Sequence, residues 1–583
     1  TVRTVNGDAV ASHFNPFTDD INTVMGQETS YCTWNPLNKS TTQLLFNGAL
    51  DVGADSDNWQ QVKGTIGVDS GKYYWEISPI TSTQINAMIG ISDYLELVTT
   101  YPGDNSGYSY VWGGNKYEAG TYTASVGPTW VEGDVIGVAL DCDGADQSTG
   151  YGTIKYYINN TLATTSTIPT DRTWWPAISV YYSDSDIPKY TANFGQKPFR
   201  FTPPEGHQIL NYANLPSPEF VRPNQYVGVT TYTGTGAVQT VTGLNFQSDL
   251  ILIKSFSAVY NWRAFDSVRG FGSGKALYPD LTEVEGNNSS NDGALSTHDN
   301  GWTFTTTGAR VNDATHYVGY CWKAGGSKNT FNVDDVGYAS AAAAGLSGAD
   351  ITPTACSIGT KQGFSIIKYT GNGTSGSTVN HGLSQAPDFI LTKSIDESGT
   401  PSVAWGVFHA KGSYTGSMLY LTETAAAAGD TNVYTTTTQT DSVFTIGDWP
   451  GINQNTTNFI SYCWHDVPGL QKFGSYKGNS ANSGTFVDCG FEPALIIIRV
   501  VNDTNSWYLH DIARTPSNPS NNYLNPNLDA AQTVSSHPID FLSNGFKLRN
   551  GTYDGYNGNF NYIYAAWAHQ PMNNLYGAQS NAR

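Results

Sequence analysis

The chain has 583 residues, with Lys+Arg 29 against Asp+Glu 49 and a formal net charge of −20, so it can hold several domains, each with its own core. Only 13% of residues are charged, while 61 are Gly and 36 are Tyr, a balance that points to β-rich structure with many turns. An acidic surface repels phosphate backbones and sets nucleic-acid binding aside; no run of ~18 apolar residues could cross a bilayer as a helix, and no basic stretch leads into an apolar core as a signal peptide would.

Residues 1–40 are polar, with Asn15-Pro16-Phe17 and Asn35-Pro36-Leu37 as turn signals, and are expected to be an attachment segment. Strands follow. Gly71-Lys72-Tyr73-Tyr74-Trp75-Glu76-Ile77 alternates large apolar with polar residues, the period of a half-buried strand. Met88–Ile91, Gly133–Asp141, Ile154–Asn160, Trp175–Val180 and Ala192–Gln196 continue the series. Asp141-Cys142-Asp143 has the opening spacing of a calcium loop but lacks an acid at the twelfth position, Gly152, and is expected to be a simple turn.

In that order, G-K-Y-Y-W-E-I, G-D-V-I-G-V-A-L-D, I-K-Y-Y-I-N-N, P-A-I-S-V and N-F-G-Q resemble the SPRY (B30.2-like) domain. The resemblance implies a β-sandwich of two bent antiparallel sheets over residues 41–205 that binds partners through loops at one end without catalysis. Tyr101, Asp104, Tyr108, Tyr110 and Trp112 form an aromatic, Gly-rich cluster in this block. They are the candidate binding residues, since aromatic faces hold sugars and protein anchors; the same residues could instead cap the sandwich core. Residues 206–224, Pro-punctuated and without periodicity, are expected to be a linker.

The rest of the chain repeats. Each copy opens on an aromatic-led turn at Tyr232, Tyr369 or Tyr476 and continues into an apolar strand ending in a cation, at Lys254, Lys393 or Arg499. Each closes on Tyr320-Cys321-Trp322, Tyr462-Cys463-Trp464 or Ala565-Ala566-Trp567. Modules are expected at 225–326, 364–469 and 470–583, the last including the C-terminal tail, with a Gly/Ala/Ser-rich insertion at 327–363. The fold class is therefore all-β: a SPRY-like sandwich followed by three related small β-sandwich modules. Tyr338–Gly345 is the best local helix candidate. Because the third copy has Ala where the others have Cys, Cys321 and Cys463 are expected to be buried free thiols. Trp262, Arg263 and Arg269 form a cationic-aromatic patch in the first module, expected to be a solvated turn.

Cofactor and metal chemistry find no motif: the six cysteines and ten histidines make no CxxC, HExxH, Walker or GxSxG pattern. Trp322-Lys323-Ala324-Gly325-Gly326, the ending Asn573–Arg583 and the stretch Phe17–Val24 resemble large structural proteins of marine bacteriophages. That resemblance implies a non-enzymatic virion component on the particle surface, a tail fibre, spike or appendage. Its partners would be a host cell-surface protein or glycan and other virion proteins, with a homo-oligomer, trimeric by preference. A purely structural virion part and a polysaccharide-degrading spike are the alternatives.

Overall fold

The computed structural model describes residues 30–572 except 82–85, 145–150, 171, 183–186, 217, 288, 307–309, 397–403, 413–416, 430–431, 436–438, 550 and 552. They fall into two compact units that divide between Pro218 and Glu219.

The first unit is a sandwich of two mainly antiparallel sheets, with its first strand, Trp34–Lys39, already inside the stretch expected to be an attachment segment. One sheet has seven strands, with Ala87–Ser92 and Trp175–Val180 at its centre. The other has eight, centred on Lys72–Thr81 and Ile136–Asp141. Between them lie Trp34, Trp75, Trp130 and Phe194, all fully buried. The alternating strand at 71–77 is covered on both faces. Trp75 points into the sandwich core with Phe194, while on the other face Tyr74 meets Phe199 edge-on and Glu76 accepts the Arg200 and Phe201 backbone N–H groups at 2.8 and 2.9 Å. The acid alternates with apolar residues because returning backbone satisfies it. Asp141 accepts the N–H groups of Asp143 and Gly144, both at 3.1 Å, and pairs with Lys72, which makes this place a turn; residues 145–150 lie outside the described residues.

The second unit is one body made of three copies of a single plan. Each copy has an inner sheet ordered opening strand, tryptophan strand, cation strand, edge strand. In module 1 these are Val227–Thr233, His316–Trp322, Leu250–Ser255 and Arg263–Asp266. In module 2 they are Phe364–Thr370, Asn458–Trp464, Phe389–Ser394 and Gly406–His409. In module 3 they are Gln471–Lys477, Asn561–Pro571, Phe491–Val500 and Tyr508–Asp511. Register repeats as well: Trp322 lies opposite Leu250, Trp464 opposite Phe389, and Trp567 opposite Leu495. An outer sheet of three, two and four strands completes the sandwich in modules 1, 2 and 3 respectively. The insertion supplies Phe331–Val333, Val336–Tyr338 and Ala355–Gly359, which extend the inner sheet of module 2. Within it, residues 339–345 form turns and no helix. A Ser-Ala-Ala-Ala-Ala stretch closed by Gly345 at φ +78° is too short to offset the cost of helix nucleation.

The three inner sheets share a core. Because side chains alternate along a strand, Tyr320 and Trp322 face one way and Cys321 the other. The tyrosine and tryptophan positions of all three copies join one central cluster, whereas Cys321, Cys463 and Ala566 each enter their own module's core. All six cysteines are free and buried. Trp322, Trp464 and Trp567 meet pairwise, edge to face, with centroids 6.1, 5.9 and 5.3 Å apart. Their indole N–H groups have no protein oxygen or nitrogen acceptor, so the contact is one of ring edges on ring faces.

Bonds around the ring repeat in the same sense. At the start of each edge strand, Trp262, Trp405 and Trp507 donate their indole N–H to the carbonyls of Asn525, Tyr278 and Tyr420, at 3.0, 2.8 and 3.0 Å. Module 1 thus bonds to 3, module 2 to 1, and module 3 to 2. The strand-end cations follow: Lys254 reaches the Asp529 carbonyl at 2.9 Å, Lys393 that of Thr282 at 3.3 Å, and Arg499 that of Ala425. Two residues beyond each cation, the carbonyls of Phe256, Ile395 and Val501 accept the N–H groups of Gln532, Glu285 and Ala427. Burial holds the two lysines down at about 8 and Arg499 at about 10.

The expectation of a solvated turn at Trp262, Arg263 and Arg269 is corrected. Trp262 lies in the shared core, Arg263 pairs with buried Asp292 at 3.0 Å, and Arg269 pairs with Asp266 at 2.6 Å. Guanidinium groups can be buried there because each has a carboxylate and carbonyls to bond.

Candidate functional site

The loop that carries the predicted binding residues is built around one carboxylate. Glu96, 1% exposed, accepts the backbone N–H groups of Asn105 and Ser106, both at 2.9 Å, and of Gly107. Gly103 stands at φ +99°, and a Cβ there would lie 2.7 Å from the Tyr117 side chain. Next to it, the Asp93 carboxylate accepts the Ser106 hydroxyl and pairs with Arg172 at 2.9 Å, while buried Lys63 donates to the carbonyls of Asp93 and Glu96. Lys63 is held down at about 8, mainly by desolvation.

This frame separates the five predicted residues. Tyr108 and Tyr110 are core residues, which corrects their assignment as binding residues. Tyr108 meets Trp174 edge-on at 5.5 Å. Tyr110, fully buried, packs on Trp130 and Tyr156 and donates its hydroxyl to the Pro128 carbonyl. They alternate with Ser109 along the strand Tyr108–Val111 and so share its inward face. Trp112 is half-buried beyond the strand end. Tyr101 and Asp104 remain at the surface.

Two tyrosines that the sequence reasoning did not single out join them. The hairpin Asn115–Glu118 and Thr121–Thr123 turns at Ala119-Gly120, both at positive φ, a two-residue turn that fixes register. Tyr117 and Tyr122 are its cross-strand pair. Tyr101 packs on Tyr117 at 4.9 Å, and Tyr117 on Tyr122 at 5.1 Å, with Tyr122 53% exposed. Burial first, then Tyr117 and Asp104, push the Tyr101 hydroxyl above its ordinary range, so it stays a donor at neutral pH. Lys116 and Glu118 pair at 2.8 Å on the face of the strand opposite Tyr117. The pattern Lys-Tyr-Glu-Ala-Gly-Thr-Tyr-Thr was the available signal, since a two-residue turn puts its tyrosines opposite each other. Three phenol rings tilted against one another, with Asp104 beside Tyr101, offer an aromatic face with hydroxyl and carboxylate partners, which suits binding an apolar side chain or the apolar face of a sugar.

Half of the eight histidines of the second unit serve its interior, whereas His316 and His569 are exposed. His381, His409, His465 and His510 are all buried, and among the described residues no three His, Cys, Asp or Glu side chains gather in a metal-binding arrangement.

Residues 222–571 match a family described as a domain of unknown function, DUF7483. The chain belongs to the DUF7483 family. The match begins just before the opening strand at Val227 and ends with the last tryptophan strand at Pro571, so the DUF7483 unit is the whole three-module ring. The first unit is similar to solved SPRY domains. That of human HERC1 is 19% identical, with 28% of this chain and 99% of that one covered and a TM-score of 0.24. A human SPRY domain is 12% identical over 27% of this chain and 98% of that one, with a TM-score of 0.22. The TRIM65 PSpry domain is 15% identical over 28% and 92%, also with a TM-score of 0.22. The sandwich assignment rests on the strand order and core given above.

Proposed function

We propose that this chain is a non-enzymatic component of a virus particle, a tail fibre, spike or surface appendage that recognises the host surface through several weak contacts. The observation that carries the proposal is the sealed ring. Its buried cations and the Asp266–Arg269 and Asp511–Arg514 pairs are spent on holding modules together, leaving outward loops and the tyrosine stripe for contact. Weak sites multiplied by copy number give avidity without any single tight site. The partner would be a host surface protein or glycan, and a homotrimer would present three stripes at once.

The pseudo-threefold ring also favours a second reading, a structural part such as a capsid decoration, collar or tail connector at a three-fold position. Locating the chain in the particle by electron cryomicroscopy separates the two: an appendage tip supports adhesion and a lattice position supports scaffolding. Soluble protein should also compete with particle adsorption, and Tyr122→Ala should weaken that competition. Failure to bind host cells at all would sink the adhesion reading.

A further inference from the structure

Module 1 carries a cavity of about 450 Å³ beside the start of its cation strand. That volume lies within the ~300–1,000 Å³ range of small-ligand sites. Four separate segments form its walls: Gln225 before the opening strand, Asn245 to Asp249 before the cation strand, Asp299 at the outer-sheet hairpin, and Lys323 to Ser327 with Asp335 where the insertion begins.

Three of its charged groups are already engaged. Asp249 accepts the N–H groups of Ala324 and Gly326 at 2.7 and 3.2 Å, and Lys323 is neutralised by Asp335 at 2.9 Å. The side chains of Gln225, Asn245 and Asp299 line the cavity and take part in none of the hydrogen bonds or ion pairs among the described residues. Two amides and a carboxylate on exposed residues of its wall are therefore without a protein partner among the described residues, and half-buried Tyr226, whose ring packs edge-on against Phe220, belongs to the same wall.

The sister modules do not keep this lining. By strand register, the places of Ser248 and Gly326 are taken in module 2 by Pro387 and Pro468, and in module 3 by Pro493 and Pro571. At Gly326, with φ +81°, a Cβ would lie 2.8 Å from an Asp335 carboxylate oxygen. The Trp-Lys-Ala-Gly-Gly stretch is thus a wall of the cavity as well as the end of the tryptophan strand.

We propose that this cavity binds a neutral saccharide unit. Vicinal hydroxyls both donate and accept, and so match a wall that carries a carboxylate and two amides. Uronates and other anionic sugars are disfavoured by Asp299, because the one lysine of the wall is already paired with Asp335. The site is independent of where the chain resides and would serve an adhesin or a lattice component alike.

The test is saturation-transfer NMR on the full chain with three probe sets: gluco- and galacto-oligosaccharides, N-acetylglucosamine oligomers, and uronate oligomers. The wild-type chain should bind at least one neutral set at millimolar concentration and not the uronates. Asn245→Ala with Asp299→Ala, both at exposed wall positions, should weaken that binding by about tenfold or more, as loss of a charge-assisted hydrogen bond implies. Tyr122→Ala, on the other unit, should leave it unchanged. No binding of neutral probes, binding indifferent to the double variant, or preference for uronates would each overturn the proposal. Saccharide binding by a wild-type chain that fails to bind host cells would count against the adhesion reading alone.

Discussion

Replacing Trp464 with Ala tests whether the three modules are one cooperative body. Trp464 is 2% exposed; it stacks on Phe364 at 4.6 Å, tilts against Phe389 at 5.7 Å, and meets Trp322 and Trp567 edge-on. Truncating a buried aromatic costs ~3–5 kcal/mol, and the cavity would open at the point all three modules share. For a unit of this size that corresponds to a fall in Tm of roughly 5 °C. Hydrogen exchange followed by mass spectrometry should show faster exchange in Val227–Thr233 of module 1 and Gln471–Lys477 of module 3, and not only in module 2, with one shared melting transition. Trp464→Phe should cost less, since the indole N–H has no protein acceptor to lose. Faster exchange confined to residues 364–469 would refute the shared core as the source of stability.

Three further outcomes are expected. His510 is fully buried with neither ring nitrogen bonded, and desolvation followed by the Arg514 charge holds it down at about 3. Above its ordinary value near 6.5 neither state binds a proton there. As pH falls from that value towards 3, the unfolded chain takes up a proton the folded one rejects, and stability drops by up to a few kcal/mol, at about 1.4 kcal/mol per pH unit. His510→Phe, with the residue type that module 1 has at Phe265 and module 2 at Phe408, should raise Tm by an amount that grows between pH 7 and 4.5; a constant difference would contradict this. Tyr462 donates its hydroxyl to buried Asp266 at 2.7 Å, so Tyr462→Phe should cost about 1.5–3 kcal/mol in urea unfolding. In module 2 the Asp–Arg pair becomes His409 and Gly412, facing Ala565 where the other interfaces have Tyr462 and Tyr320. His409→Asp alone should therefore cost about 3–5 kcal/mol by burying an unpaired carboxylate, and adding Gly412→Arg with Ala565→Tyr should recover most of it. Additive losses in the triple variant would show that these positions do not act as a set.

That last interface shows where sequence reading stopped. A tyrosine lost in one copy and an aspartate changed to histidine in another look like unrelated drift along the chain. They are neighbours across one module boundary, because His409 donates to the carbonyl of Tyr564 at 3.1 Å. The Cys-to-Ala change in the third copy was readable as packing, and the structure agrees: Cys321, Cys463 and Ala566 all enter module cores. The paired Tyr and Trp positions gave no sign that they face a different core from the Cys between them. The candidate site divided for a related reason. Tyr108 and Tyr110 share the inward face of one strand, whereas Tyr101, Tyr117 and Tyr122 meet only because a carboxylate-centred loop and a tight hairpin bring them together.

The sequence by itself determined the main strands of the sandwich and modules and the three-fold repetition, because β periodicity and turn residues act over a few neighbours and each copy restates them; it did not reveal the strand Trp34–Lys39 or the three strands of the insertion. It also pointed to Cys321 and Cys463 as small packed groups, through the Ala that replaces them in the third copy. The tertiary structure alone decided that the modules close into a ring, that Lys254, Lys393 and Arg499 turn inward to a neighbour's carbonyls, and that the Trp262–Arg269 patch is buried. Whether an apolar strand face covers its own module or another, and whether a cation meets water or a distant carbonyl, depends on partners hundreds of residues away. Local propensity carries no record of them.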